Sequence, residues 1–223
     1  MVCGVLVIAA VILGLIVGYA MRGPMQQIAA EDTLRLSRFM VEILTAATFG
    51  LLAWSIGWNW SLPAFIWLGA TGVAMGVIDF QHHRLPNVLT LSGYPTIGIL
   101  LLIPALLNGD WAAYGRAWIG AAILFIAYLV LALIYPAGMG LGDVKLAGVL
   151  GLALAWLGWA ELAVGAFMAF LLGAIVGVGL MIGGRAKRKT SIPFGPFMLV
   201  GALVAIVFAA AIADWYLSFA VPS

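Results

Sequence analysis

Eight stretches of this chain are apolar over roughly the length a helix needs to cross a bilayer, and no other feature of the sequence restricts its fold as tightly. A spanning helix takes about 20 mostly apolar residues. Residues 2–21, 39–57, 62–79, 87–107, 116–135, 143–158, 160–183 and 192–217 follow that pattern, the sixth being short for a full span and its border with the seventh falling near Gly158 and Glu161. Lipid offers no water to satisfy backbone N–H and C=O groups, so such runs must fold as helices, in which Gly and Pro are tolerated. With 65% hydrophobic and 8% charged residues, the chain has too little polar surface to cover a soluble globule. The expected fold class is therefore all-α, a polytopic membrane protein of about eight transmembrane helices. Residues 1–223 read as one integral membrane unit: 1–61 supply N-terminal helices and a short cytoplasmic loop, and 62–223 form a core that carries the motifs. Segment 2–20 has no basic lead-in and no small-residue cleavage site, so it reads as a retained helix and not as a signal peptide.

The basic residues test that count. Arg22, Arg35 and Arg38 fall in the first loop, Arg84 in the third, Lys145 beside the fifth, and Arg185, Lys187, Arg188 and Lys189 in the seventh. Only Arg116 falls in an even-numbered loop. The positive-inside rule assigns the odd loops to the cytoplasm and leaves both termini on the non-cytoplasmic side. The cluster at 185–189 reads as an anchor for anionic membrane lipid. A net charge of +2 argues neither for nucleic acid nor for acidic substrates. Cys3 is the single cysteine, which excludes an internal disulfide and a cysteine-cluster metal site.

Two carboxylates then stand out. Asp79 closes the third run and Asp143 opens the sixth, and both of those ends are cytoplasmic on this topology. Asp143 also follows three glycines, in Gly138-Met139-Gly140-Leu141-Gly142-Asp143-Val144-Lys145-Leu146. Asp within a membrane helix is costly, about 2.5–3.5 kcal/mol at the centre on insertion scales, and is a functional candidate by default. Glycine at alternate positions lets a peptide strand or a second carboxylate come close. The plainer reading is a turn whose Asp caps the next helix. Glu31 and Asp32 lie in a loop, Asp110, Glu161 and Asp214 at outer ends, and Glu42 reads as an interfacial cap whose charge suits a helix start.

Two carboxyl groups close together in a partly dry site do not both ionise easily. One can then activate water for attack on a peptide carbonyl while its protonated partner polarises the carbonyl oxygen. The dipole at a helix start and the neighbouring Lys145 favour the anion at Asp143, leaving the shared proton to Asp79.

Three motifs now resemble one family. Asp79-Phe80-Gln81-His82-His83-Arg84-Leu85-Pro86-Asn87-Val88-Leu89-Thr90, Gly140-Leu141-Gly142-Asp143-Val144-Lys145-Leu146 and Ile192-Pro193-Phe194-Gly195-Pro196-Phe197 are similar, in order and spacing, to the signatures of the type IV prepilin leader peptidases, intramembrane aspartic proteases of the GxGD type. The resemblance covers roughly residue 62 to the C-terminus. It implies an aspartic endopeptidase of the bacterial inner membrane, multi-pass, with its site facing the cytoplasm. Its substrates would be prepilins of type IV pili or pseudopilins of type II secretion, whose basic leader is removed after a glycine. Asp79 and Asp143 would be the catalytic pair. Gly140 and Gly142 would shape the loop, and Pro86, Asn87, Lys145, Pro193, Phe194, Gly195 and Pro196 would support the site. Pro86-Asn87 reads as a helix start with Asn87 as cap, and Pro193 as a first-turn proline. Lys145 is either a snorkelling anchor or direct help at the site. His82 and His83 lack further Cys or His partners and read as solvated, so no metal is expected.

Longer members of that family carry paired Cys-x-x-Cys motifs in the first cytoplasmic loop and methylate the new N-terminus from S-adenosylmethionine. Here that loop has no cysteine, and 14–24 only weakly resembles the Gly-to-Arg-x-Pro segment of those members. The peptidase needs no cofactor, and S-adenosylmethionine enters only with a methyltransferase activity. Presenilin-type GxGD proteases pair the motif with Tyr-Asp, whereas Asp79 follows Ile78. A transporter or channel would hold its acids deeper, in repeated halves with broken helices, and a scaffold would have no use for an acid behind three glycines.

Overall fold

The computed structural model describes residues 2–29, 39–136, 139–183 and 193–220. Among these the chain is all-helical: α1 (Val2–Ala29), α2 (Met40–Ile56), α3 (Leu62–His82), α4 (Asn87–Asn108), α5 (Trp111–Ile134), α6 (Leu141–Leu157), α7 (Trp159–Ile182) and α8 (Gly195–Ala220). Five of these, α1, α3, α4, α5 and α7, are long and apolar enough to cross a membrane, while α2 and the 195–209 part of α8 are shorter apolar helices. The protein is accordingly a polytopic membrane protein. Gly57 (φ 68°) and Gly109 (φ 78°) end α2 and α4 in the left-handed region that glycine enters without cost.

Two helix ends differ from the sequence reading. Residue 22 was expected in a loop, but α1 runs on through Arg22 and Pro24 to Ala29. The second difference follows from the first. Glu42 does not cap α2; it is buried and ion-paired with Arg22 of α1. The helical continuation of α1 brings the cation alongside, and a buried acid is held by such a partner. The α6/α7 border falls where expected, at an extended Gly158. Glu31, Asp32, Arg35, Arg38, Gly138, Ile192 and the cluster at 185–189 lie outside the described residues.

Lipid does not drive helices together as water does, so association rests on close packing at small side chains. That is how neighbouring helices meet here. A Cβ on Gly14 or Gly18 of α1 would lie 2.6 Å from the Ala46 Cα or 2.7 Å from the Glu42 Cα of α2. Gly120 of α5 and Gly151 of α6 face each other's backbones, and a Cβ on Gly201 of α8 would lie 2.7 Å from the Ala169 nitrogen of α7. At the centre stands α6, packed on α4, α5, α7 and α8 and buried from Leu146 to Trp156. With 17 residues it is about 25 Å long at 1.5 Å per residue, short of a hydrocarbon core of about 30 Å.

Arg116, the exception to the charge segregation, explains how so short a buried helix ends. From α5 its guanidinium donates to the carbonyls of Ala155 (2.6 Å), Trp156 (2.7 Å) and Leu157 (3.3 Å). Those are last-turn acceptors with no partner inside the helix, and a cation suits that end of the dipole. Exposed Trp58, Trp60, Trp111 and Trp159 mark the same end of the bundle, as an interfacial aromatic belt would.

Candidate active site

The opposite end gathers the motif residues. Asp79 sits in the last turn of α3 and is 4% exposed. Its Oδ2 accepts the Gly195 N–H at 3.1 Å. A Cβ on Gly195 would stand 2.7 Å from that oxygen, so a backbone amide can reach the carboxylate only because residue 195 has no side chain. The Pro193–Pro196 segment serves this contact. Gly195 begins α8, and the Phe194 carbonyl accepts the N–H groups of Phe197 (3.1 Å) and Met198 (3.2 Å). The sequence placed Pro193 in the first turn; it precedes the helix, and Pro196 takes that place, where the missing N–H costs nothing. Phe194 fixes the segment sideways, its ring centroid 6.3 Å from Tyr128 of α5 and 5.2 Å from Phe170 of α7.

Asp143 is the third residue of α6 and is 9% exposed. Its Oδ2 accepts the Gly140 N–H at 3.0 Å, and the Gly140 carbonyl accepts the Asp143 N–H at 3.1 Å. The carboxylate therefore closes its own helix start, as the plainer sequence reading held, and is fixed in direction by doing so. The two glycines differ. Gly140 has φ −80°, open to any residue, and a Cβ there would lie 3.5 Å from Asp143 Oδ2. A Cβ on Gly142 would lie 3.0 Å from the Leu85 Cβ, so the requirement for a small residue is sharper at 142.

Leu85 joins the two halves. It lies against Gly142, and its Cδ2 would be 3.3 Å from a Cβ on Gly195, so the loop after α3 packs between the two backbones that hold the acids. The segments that carry Asp143 and hold Asp79 therefore meet on one side chain. Each acid is held by a backbone N–H from a different loop, so hydrogen bonding does not tell their protonation states apart.

Around them, Lys145 Nζ donates to Asn87 Oδ1 at 2.7 Å, and the Tyr94 hydroxyl donates to the Lys145 carbonyl at 2.9 Å over the bare Cα of Gly148. This corrects one expectation. Asn87 is not the cap of α4; Pro86 is, with its carbonyl accepting the Leu89 and Thr90 N–H groups, and Asn87 is the first helical residue. Its amide is turned to α6 instead, and Lys145 ties α4 to α6. His83, exposed, ends α3 in the left-handed region (φ 53°), while His82 is half-buried.

Leu85, Tyr94 and Tyr128 were not singled out in the sequence. Tyr94 left a trace: it lies seven positions after Asn87, and Gly148 three after Lys145, a helical register that pairs the two faces once the helices are known to touch.

Acid side chains brought from the terminal turns of distant helices to one end of an apolar bundle define a class, a helical membrane protein with two buried carboxylates at one end. The chain belongs to the Type IV leader peptidase family, whose model matches residues 66–178, a span that holds both aspartates. It is 34% identical over 188 residues to the prepilin leader peptidase/N-methyltransferase of Pseudomonas aeruginosa, covering 81% of this chain and 61% of that protein. It is 32% identical over 206 residues to the protein of the same name in Stutzerimonas stutzeri (90% and 68%), and 29% identical over 180 residues to that of Bacillus subtilis (80% and 69%). The chain thus spans about three fifths of the length of the Pseudomonas protein. No solved structure matches it.

Proposed function

We propose that this protein is an intramembrane aspartic endopeptidase that removes the basic leader from type IV prepilins or pseudopilins at the cytoplasmic face of the bacterial inner membrane. The observation that carries the reading is that Asp79 and Asp143, each buried and held by a backbone amide, belong to segments that pack on one residue, Leu85, at one end of the bundle. One carboxylate takes a proton from water as the oxygen attacks the scissile carbonyl. The protonated partner gives its hydrogen to the carbonyl oxygen, and the tetrahedral intermediate collapses as the leaving nitrogen is protonated. By the dipole argument, Asp143 is the base and Asp79 the proton holder. Gly140, Gly142 and Gly195 keep the backbones near the acids, Pro86 and Pro196 start the flanking helices, and Lys145 with Asn87 holds α4 to α6. The topology has eight spans and both termini outside. Residues 1–61 form its N-terminal part and 62–223 its catalytic core.

Acids in terminal turns next to a peptide-sized opening suit proteolysis better than ion transport, which calls for charge along a path through the bilayer. The second activity in the relatives' names needs a methyl donor. The groove described below is lined by apolar residues apart from Thr48 and Gln81, which does not fit a charged donor such as S-adenosylmethionine.

The test is co-expression with a candidate prepilin. Wild type removes the leader with or without a chelator, while Asp79→Asn and Asp143→Asn each lose more than about a hundredfold, the scale of a missing acid or base. Cleavage by either variant at the wild-type rate would refute the reading. The mass of the product's N-terminus reports methylation in the same experiment.

A further inference from the structure

A long opening among the described residues lies not at the acids but beside them. A groove of about 350 Å³ lies between α2, α3 and α8. Along α3 it is lined from Phe65 to Gln81, about 24 Å of helix at 1.5 Å per residue. Its floor on α3 is Gly69, Gly72 and Gly76, and the same intervals of three and four continue to Asp79. A Cβ on Gly76 would meet only the tip of Leu199, at 3.4 Å, whereas Gly72 and Gly69 are buried under the side-chain ends of Leu199 (3.1 Å) and of Leu52 and Thr48 (2.9 and 3.0 Å), so the backbone is open at Gly76 and covered elsewhere only by side-chain tips. At its inner end the groove reaches Pro196, next to the Gly195 N–H that holds Asp79.

We infer that this groove receives the apolar helix of the substrate and delivers its cytoplasmic end to the aspartates. The inference rests on the proposed peptidase function and adds the place of binding. A glycine-floored channel lets a second helix backbone approach closely, as small-residue faces do in membranes. An acyl chain needs no such floor. Charge also selects the occupant. The groove is uncharged along its length, and its inner end, at Phe80, Gln81 and Pro196, lies beside the segment that holds buried Asp79, which matches an apolar helix preceded by a basic leader. The groove's inner end, at Phe80 and Pro196, gives the helix a depth stop beside Asp79, so the cut falls at the junction between basic and apolar segments. Asp79 is itself buried, and the groove runs past its helix and not onto its carboxylate. The chain entering the site therefore leaves helical form at the inner end, where Phe80 and Pro196 flank it.

The test is photo-crosslinking in membranes that contain a prepilin, with the enzyme in its Asp143→Asn form. A benzophenone side chain at Val73 or Val200, both in the groove, should capture the prepilin's apolar segment. The same group at exposed Ile123 of α5 or Phe167 of α7 should not. Adducts of the groove positions with lipid alone, adducts chiefly from α5 or α7, or none at 73 and 200 would each overturn the inference. Leader removal by wild type in parallel membranes keeps the two readings apart, because the peptidase function fails only if wild type does not cut. A kinetic arm adds Gly76→Leu, whose Cβ the fold has room for. It should raise KM about tenfold and lower kcat much less, as lost ground-state binding does, and an unchanged KM would count against the groove.

Discussion

At Gly195 the absence of one carbon atom decides where a carboxylate can sit. Gly195→Ala would push a Cβ to 2.7 Å from Asp79 Oδ2 and 3.3 Å from Leu85, so the acid must turn away. Misplacement by about an ångström can cost of the order of a hundredfold in rate. Gly195→Ala is therefore expected to cleave prepilin about 10–100-fold more slowly with its thermal stability little changed. Gly140→Ala keeps its N–H, its φ and a 3.5 Å contact, and should lose much less; timed leader removal separates the two. Both glycines stood out in the sequence as parts of motifs, but their unequal tolerance did not. It depends on which atom of a distant segment lies opposite, and no local pattern encodes that.

At the scale of elements, α6 does the positioning. Its first turn directs Asp143, and its last turn is closed by Arg116. Arg116→Leu leaves buried carbonyls without donors, a loss of about 1–3 kcal/mol, and thermal unfolding in detergent should show it. Arg116→Lys, with a single ammonium in place of a planar fork, should fall between. The helix itself was plain from hydropathy. The role of Arg116 was not, because the sequence shows only a cation on the unexpected side. Asn87 is the parallel case. Asn after Pro reads locally as a cap, but the tertiary partner Lys145 takes its side chain. Helix ends are where local preference and packing compete, and all four corrected assignments, Arg22, Glu42, Asn87 and Pro193, are found there.

For the molecule as a whole, hydropathy and the spread of basic residues were enough to anticipate every helix and to put Asp79 and Asp143 at one end. The periods of apolar and small residues are strong signals in lipid, where the backbone has few alternatives. What stayed hidden was lateral order, namely which helices leave a groove between them. Orientation has a direct check. In a Cys3→Ser background, Trp58→Cys should react with an impermeant maleimide added outside intact cells and Val88→Cys should not; the reverse pattern would turn the site away from the cytoplasm.

The central claim is that the two aspartates act as one unit. Purified protein in liposomes, assayed for leader removal as Asp79→Asn, Asp143→Asn and the double variant, tests it most directly. Groups that share one step are not additive, so each single change should lose nearly all activity and the double change little more. Losses that multiply, or a single variant that keeps most of its rate, would contradict the account.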